Sequence, residues 1–369
     1  MALYFLICRM RLKRQPPFII ARLMAIHPLI RFDESLDRHN TFGISARAAA
    51  YLPLGSSDQL CEQLSELSLD PQLCAMPRLV LGGGSNILLK DNFPGLVLHM
   101  QTKGIAVVGE DADSVHLRAA AGESWNGLVD HSIALGFGGL ENLALIPGSV
   151  GASPIQNIGA YGVELKDCFH SLRAFDFSSG AVLTLDGQAC AFDYRDSVFK
   201  HALRDQAVII DVTFALPKRW RPNLRYAELP QELAARGIGD PAPHEIRDAV
   251  VAIRRRKLPD PALIGNAGSF FKNPVVPAML RAALLAQHPQ LVSHAQPDGS
   301  FKLAAGWLID QCGWKGRRLG NAGVYEKQAL VLVNHGNASG RDICDLAMAI
   351  QKDVKDRFGI MLEPEPVII

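Results

Sequence analysis

Two glycine-rich segments contain the residue types that most directly indicate ligand chemistry. The first, the GGGSN loop, is Gly82 to Asn86 and follows the apolar run Leu79 to Leu81. The second, the 139–162 loop, reads GLENLALIPGSVGASPIQNIGAYG. Successive backbone N–H groups in a glycine-rich turn can form a nest for an anion, and glycine allows close backbone approach to a bound group. Two such loops together favour the diphosphate of a dinucleotide over a mononucleotide.

Neither loop matches a specific nucleotide motif. The GGGSN loop lacks the Gly-Lys-Ser/Thr ending of a Walker A loop and the third glycine that opens a helix in the dinucleotide fingerprint. An ordinary glycine-rich connector is therefore the alternative. After Ile146, however, the second loop shows neither of the apolar periods of buried structure, which favours ligand contact. The candidate ligand-contact residues are Gly82, Gly83, Gly84, Ser85, Asn86, Pro147, Gly148, Ser149, Gly151, Ala152, Ser153, Gln156, Asn157 and Gly159.

Composition narrows the classes of protein. With 369 residues, 48% of them hydrophobic and 20% charged, the chain is predicted to form two or three globular domains. A net charge of +1 gives no indication of binding to nucleic acid or to a membrane surface, and no apolar stretch reaches the length of a membrane-spanning helix. Seven scattered cysteines without a CxxC pair, and histidines without HExxH spacing, predict no disulfide framework and no metal site. We expect a reducing, cytoplasmic compartment.

The N-terminal segment does not match a secretory signal, because its apolar stretch precedes its basic residues rather than following them. Our hypothesis is that Met24 is the natural start. Residues 1–23 would then be a non-native or disordered extension.

The remaining chain divides into segments by apolar periodicity and turn residues. Short apolar runs around a helical pattern with Leu60, Leu64 and Leu67 predict βαβ-like units in a first lobe, residues 24–100. A second lobe, residues 101–217, has a predicted helix and a Ser179-Gly180 hairpin turn. Its predicted strands cover residues 115–119, 172–177, 181–185 and 208–214, and its predicted helix covers residues 123–135.

Residues 217–222, bounded by prolines and carrying three positive charges, are interpreted as a linker before a third domain, residues 218–359. Helices are predicted there over residues 244–256 and 339–358, the latter with a Ser339 and Asp342 capping pattern and a Gly359 stop. Residues 360–369 are predicted to form a C-terminal strand, which two prolines confine to an edge or to irregular pairing.

Seven motifs in order resemble those of the UDP-N-acetylenolpyruvoylglucosamine reductase family. They are NTFG from Asn40, the GGGSN loop, the 139–162 loop, YRDSVFK from Tyr194, GNAGSFFKNP from Gly265, AAGWLIDQC from Ala304 and LEPE from Leu362. Seven ordered motifs are far more specific than one glycine pattern. The resemblance implies an α+β fold: a two-lobed FAD-binding domain of the vanillyl-alcohol-oxidase (PCMH) type plus a C-terminal α/β substrate domain.

The same resemblance implies an activity. The family reduces UDP-N-acetylglucosamine enolpyruvate to UDP-N-acetylmuramate, a cytoplasmic step of peptidoglycan precursor synthesis, with FAD as cofactor and NADPH as co-substrate. Hydride passes from NADPH to flavin N5 and then to the methylene carbon of the enolpyruvyl group. We expect a monomer without nucleic-acid or membrane partners. The alternatives are another PCMH-type flavin oxidase or dehydrogenase, and a non-catalytic nucleotide or flavin binder.

Three residues match the catalytic positions of the family. Arg195 would hold the substrate carboxylate while negative charge builds on it, and Ser269 would donate the proton to carbon. Glu365 would assist enolate formation if its surroundings keep it protonated. Each has a structural alternative: Arg195 could pair with Asp193 or Asp196, Ser269 could cap a turn, and Glu365 could be surface charge. Period-2 alternation does not separate Glu365 from Glu363, so the motif alone selects it.

Four further residues match substrate-binding positions: Tyr226, Lys257, Asn273 and Gln311. Lys257 is the last residue of the basic run that starts at Arg254. This match favours a diphosphate contact for the run over the alternative of a solvated helix end. The presence of Tyr226 and its loop resembles the longer, first type of the family. The chain continues only four residues beyond Glu365, which leaves open how the C-terminus is anchored.

Overall fold

A computed structural model describes residues 29–369. The proposed start at Met24 and the extension over residues 1–23 lie outside these residues. The strands are β1 Arg31–Ser35, β2 Arg47–Leu54, β3 Arg78–Leu81, β4 Ile87–Leu88, β5 Phe93–Met100, β6 Ile105–Glu110, β7 Ser114–Ala120, β8 Gly159–Ala160, β9 Val163–Glu164, β10 Phe169–Asp176, β11 Ala181–Asp186, β12 Ala207–Pro217, β13 Gly265–Ser269, β14 Val275–Val276, β15 Ser293–Ala295, β16 Phe301–Leu303, β17 Arg318–Leu319, β18 Ala322–Val324, β19 Val331–Asn334 and β20 Val367–Ile368. The helices are α1 Leu60–Leu69, α2 Pro71–Cys74, α3 Trp125–Ala134, α4 Gly187–Cys190, α5 Glu228–Ala235, α6 Pro243–Lys257, α7 Ala278–Gln287, α8 Ala305–Gln311 and α9 Gly340–Phe358.

The first lobe is a four-stranded sheet in the order β1-β2-β5-β3. Strands β2 and β3 both run parallel to β5, with α1 in the connection, which confirms the βαβ interpretation. Successive side chains of a strand point to opposite faces, and here both faces are buried. Leu52 and Leu98 face the core shared with the second lobe, whereas Tyr51 and Val97 face the core shared with the C-terminal region. The sheet therefore lies between two cores.

The second lobe is a five-stranded antiparallel sheet in the order β11-β10-β12-β7-β6. Its strands confirm the predicted ones, and the β10–β11 turn contains Gly180 at a φ of 67°. Helix α3 confirms the predicted helix. Its N-cap Ser124 accepts a hydrogen bond from the Gly127 amide, and the buried Trp125 indole donates to the Leu143 carbonyl at 2.8 Å.

Helices α5 and α6 pack on the second lobe. Leu229, Leu233, Ile246 and Val250 belong to the same buried cluster as the second-lobe strands. Helix α6 confirms the predicted helix over residues 244–256. The domain boundary at residue 218 stays a prediction, and these contacts associate residues 228–257 with the second lobe rather than with the residues that follow.

The C-terminal region is built on the sheet β13-β19-β18-β17, and α9 packs against it. Helix α9 has the predicted capping box between Ser339 and Asp342 and ends at Gly359, whose φ is 68°. None of the helices in residues 29–369 is long and apolar enough to cross a membrane.

The prediction of a strand over residues 360–369 is wrong for most of its length. Only Val367–Ile368 is a strand, β20, which pairs in parallel with β4 of the first lobe. Pro364 and Pro366 lack the N–H groups that a continuous ladder needs.

Candidate active site

A cavity of about 730 Å³ is lined by both lobes and the C-terminal region. Both glycine-rich loops contribute to its wall. Thirteen of the fourteen predicted ligand-contact residues line it: Gly82, Gly83, Gly84, Ser85, Asn86, Pro147, Gly148, Ser149, Gly151, Ala152, Ser153, Gln156 and Gly159.

The fourteenth predicted contact, Asn157, is not among the lining residues. Its side chain is buried and uses its polar atoms within the protein. The amide nitrogen donates to Glu164 Oε2 at 2.9 Å and to the Asp193 carbonyl at 3.1 Å, and the amide oxygen accepts from the Lys166 N–H. Asn157 therefore fixes the shape of the loop, and the structure does not bring its side chain to the cavity.

The glycines of the GGGSN loop are required by close packing against His39 and against the 139–162 loop. Gly84 has a φ of 62°, and a Cβ added there would overlap the His39 carbonyl oxygen. A Cβ on Gly82 would overlap the Ser149 hydroxyl, and one on Gly83 would lie 3.1 Å from Gly148 Cα. The loops thus contact each other through their backbones while both line the cavity. This arrangement fits the diphosphate of FAD, because backbone N–H groups can reach its oxygens without obstruction by side chains.

Arg195 lies at the tip of a two-residue turn. Asp193 and Asp196 exchange backbone hydrogen bonds of 3.2 Å on either side of it. The Arg195 guanidinium donates from Nη2 to the Gly159 carbonyl at 2.8 Å, and its Nε lies 2.9 Å from Glu365 Oε1. That Nε contact is an ion pair without the angle of a hydrogen bond, so Nε has no hydrogen-bond partner within residues 29–369. Pairing with Asp193 or Asp196 is not what the structure shows.

Glu365 is the less exposed of the two C-terminal glutamates. Its side chain is 12% exposed, whereas that of Glu363 is 73% exposed and pairs with Lys272 at 3.3 Å. Burial raises the pKa of Glu365, and the charges of Arg195 and Lys200 oppose this rise. The segment is not a strand at this point, so the two glutamates do not share a face. Of these two glutamates, Glu365 lines the cavity and Glu363 does not.

Ser269 ends β13 and follows Gly268, whose φ is 70°. It lines the same cavity as Arg195 and Glu365. Phe270 and Phe271, the next two residues, are buried and pack edge to face with ring centroids 5.1 Å apart. Ser269 therefore lines the cavity directly before two buried aromatic residues in the chain.

The four predicted substrate-binding residues are not among the residues that line the cavity. Tyr226 is 39% exposed and makes an edge contact with Tyr161, and Lys257 forms an ion pair with Glu228. The Asn273 side-chain oxygen accepts from the Ala305 N–H at 2.9 Å, at the start of α8. The Gln311 carbonyl, at the end of α8, accepts from Arg357. The structure does not gather these four side chains at the cavity.

Four cationic residues that sequence reasoning missed do line the cavity: Lys200, Arg204, Arg254 and Lys272. Three of them belong to segments named above, namely Lys200 to YRDSVFK, Arg254 to the basic run 254–257 and Lys272 to GNAGSFFKNP. The Arg254 Nε is buried and lacks a hydrogen-bond partner among the described residues, and burial lowers the pKa of this guanidinium. In the basic run, therefore, Arg254 rather than Lys257 reaches the cavity wall.

Comparison with known proteins shows to which family the chain belongs. Residues 260–369 match the family model for the C-terminal domain of UDP-N-acetylenolpyruvoylglucosamine reductase, and residues 72–186 match that of an FAD binding domain. The chain is 59% identical over 337 residues to UDP-N-acetylenolpyruvoylglucosamine reductase of Ralstonia nicotianae, covering 90% of this chain and 97% of that protein. The chain belongs to the UDP-N-acetylenolpyruvoylglucosamine reductase family. The family member from Burkholderia mallei is 55% identical over 339 residues, covering 91% of this chain and 96% of its own.

A solved structure supports the fold. The chain is similar to crystalline UDP-N-acetylenolpyruvylglucosamine reductase from Thermus caldophilus, with a TM-score of 0.61 and 23% identity, covering 92% of this chain and 97% of the other. The predicted α+β fold, with an FAD-binding domain followed by the family's C-terminal domain, is confirmed. As a member of this reductase family with its FAD-binding domain, the chain is an FAD-dependent oxidoreductase.

Proposed function

We propose that this protein reduces UDP-N-acetylglucosamine enolpyruvate to UDP-N-acetylmuramate with NADPH, in the cytoplasmic synthesis of peptidoglycan precursors. The observation that carries the proposal is the convergence of Arg195, Ser269 and Glu365 on the cavity that both glycine-rich loops line. FAD, when bound, would supply hydride to the methylene carbon of the substrate. The protein residues would then bind, orient and protonate the substrate.

Arg195 and Glu365 would stabilise the charge that develops. Addition of hydride to the methylene carbon places negative charge on the neighbouring carbon and its carboxylate. A guanidinium can hold a carboxylate by two hydrogen bonds, and Arg195 is already directed towards the interior by its contacts with Gly159 and Glu365. A neutral Glu365 could donate a hydrogen bond to the enolate, and burial acts in that direction by raising its pKa.

Ser269 would donate the proton that completes the reduction at the neighbouring carbon. A hydroxyl is a weak acid, but the carbon that receives the proton is strongly basic. The buried Phe270 and Phe271 beside it would limit competing water.

The nucleotide sugar would contact Tyr226, Lys257, Asn273 and Gln311. For Lys257 to bind the diphosphate, its ion pair with Glu228 must open. Arg254, which already lines the cavity, is a further cation available to a phosphate.

Anaerobic spectroscopy of the purified FAD-loaded protein tests this function. NADPH should bleach the flavin absorbance, and the enolpyruvyl nucleotide should then restore it. Ser269→Ala should retain bleaching and lose re-oxidation by roughly 100-fold or more, because only the proton transfer to carbon needs the hydroxyl. Re-oxidation by oxygen but not by the nucleotide would favour an oxidase instead. Equal loss of both steps in Ser269→Ala would reject the serine's role.

A further inference from the structure

The backbone of Arg195 has a conformation that its residue type disfavours. Its φ is 54°, at the second position of the two-residue turn between Asp193 and Asp196. Glycine or asparagine normally occupies such a position, and a left-handed conformation costs other residues about 1 kcal/mol. Strain of this kind persists only where neighbouring contacts hold it, and it concentrates at functional sites.

One such contact comes from Lys200. Its ammonium donates to the Arg195 carbonyl at 2.7 Å. Lys200 ends the short 3-10 helix Val198–Lys200, and this helix is fixed by the buried Phe199 and by the Ser197 hydroxyl, which donates to the Ile155 carbonyl at 2.7 Å. The lysine therefore joins the strained turn to a well-anchored segment and, through it, to the 139–162 loop.

The surroundings of Lys200 make this ammonium an unusual donor. It lines the cavity with Arg195 and Lys272, and burial followed by repulsion from Lys272 lowers its pKa. Glu365 and Asp196 oppose that change. Placing a cation near two others costs free energy, which another interaction of the ammonium must offset. The hydrogen bond to the Arg195 carbonyl is the interaction that the structure shows.

We propose that Lys200 is a positioning residue for the reduction: its hydrogen bond holds Arg195 in the left-handed turn from which the guanidinium reaches the substrate carboxylate. This inference rests on the proposed function. Loss of this hydrogen bond should slow reduction of the substrate but not reduction of the flavin. The reason is that Arg195 is needed when charge develops on the substrate and not when NADPH reduces the flavin.

Three variants separate the hydrogen bond from general charge. Lys200→Met keeps the length of the side chain but removes the donor, and Lys200→Arg restores a donor. Lys272→Met removes a neighbouring cavity cation that pairs with Glu363 and makes no hydrogen bond with Arg195. Each FAD-loaded variant is compared with the wild type in the two half-reactions, with bleaching by NADPH and re-oxidation by the enolpyruvyl nucleotide measured separately.

For Lys200→Met we expect wild-type bleaching and re-oxidation slowed roughly 10- to 100-fold, the size associated with loss of a charge-assisted hydrogen bond. Lys200→Arg should recover most of that rate, and Lys272→Met should lose clearly less than Lys200→Met. Equal slowing of both half-reactions, equal loss in the two methionine variants, or wild-type re-oxidation in Lys200→Met would each overturn the inference. Failure of the wild type to be re-oxidised by the nucleotide would instead overturn the proposed function.

Discussion

Arg195 and Glu365 form an ion pair in a site that is proposed to receive a carboxylate. An ionised Glu365 would offset the guanidinium charge and repel the substrate, whereas a protonated Glu365 would leave that charge available. Burial raises the pKa of this carboxyl, with Arg195, Lys200 and Lys272 acting against the rise. Burial and the three cations therefore act in opposite directions on the charge of Glu365, and a protonated Glu365 favours binding of an anion.

The raised pKa of Glu365 makes stability depend on pH. Between the ordinary glutamate pKa and the raised value, the folded state binds a proton that the unfolded state has lost. The free energy of unfolding therefore falls as pH rises through this window, and the loss is complete above the raised value. Glu365→Gln cannot ionise, so its melting temperature relative to the wild type should increase with pH. Re-oxidation by the nucleotide should fall roughly 100-fold.

Thermal unfolding of the FAD-loaded proteins from pH 5 to pH 8 measures this difference. Glu363→Gln is the matched control, because that side chain is 73% exposed. It should melt in parallel with the wild type throughout. A constant difference between Glu365→Gln and the wild type across the range would contradict the prediction.

The packing of the GGGSN loop against the backbone of His39 is an element-scale feature that a single Cβ would disrupt. Gly84→Ala would place a methyl group on the His39 carbonyl at a φ of 62°. We expect the free energy of unfolding to fall by about 2 to 3 kcal/mol and the purified protein to contain less FAD. Gly55→Ala is the control, since a Cβ there meets no atom within 4 Å. Denaturant unfolding and the flavin-to-protein absorbance ratio provide the measurements, and equal behaviour of the two variants would exclude the steric explanation.

The sequence predicts best the elements whose signals are local. Helix α9 has its apolar stripe, its Ser339 cap and its Gly359 stop within one continuous segment, and it begins and ends where expected. The strand predicted over residues 360–369 is wrong for most of its length, because partners in the first lobe and two prolines determine the path of this segment. Contacts such as Arg195 with Glu365, or Lys200 with the Arg195 carbonyl, depend on the folded chain. Motif resemblance indicated the first pair, and no local pattern indicated the second.

At the scale of the whole molecule, the C-terminal segment connects the C-terminal region to the first lobe. The Glu365 N–H donates to the Phe270 carbonyl at 2.8 Å, while the Asn86 side chain donates to the Glu365 carbonyl at 3.4 Å. Beyond it, the Val367 N–H donates to the Asn86 carbonyl at 3.0 Å and the Ile369 N–H donates to the Leu88 carbonyl at 2.9 Å. These hydrogen bonds anchor residues 365–369 on the GGGSN loop and β4.

Removal of residues 367–369 should therefore damage the reaction more than the fold. The deletion eliminates the β20–β4 pairing but leaves the glycine-rich loops, so FAD binding and bleaching by NADPH should persist. Re-oxidation by the nucleotide should fall roughly 10- to 100-fold, because a carboxyl displaced by about 1 Å loses much of its effect. Val367→Ala keeps the backbone hydrogen bonds of this residue and shortens a side chain that is 43% exposed. This variant should react like the wild type. Loss of flavin from the truncated protein would show instead that β20 maintains the first lobe, whereas unchanged re-oxidation would show that Phe270 and Asn86 alone position Glu365.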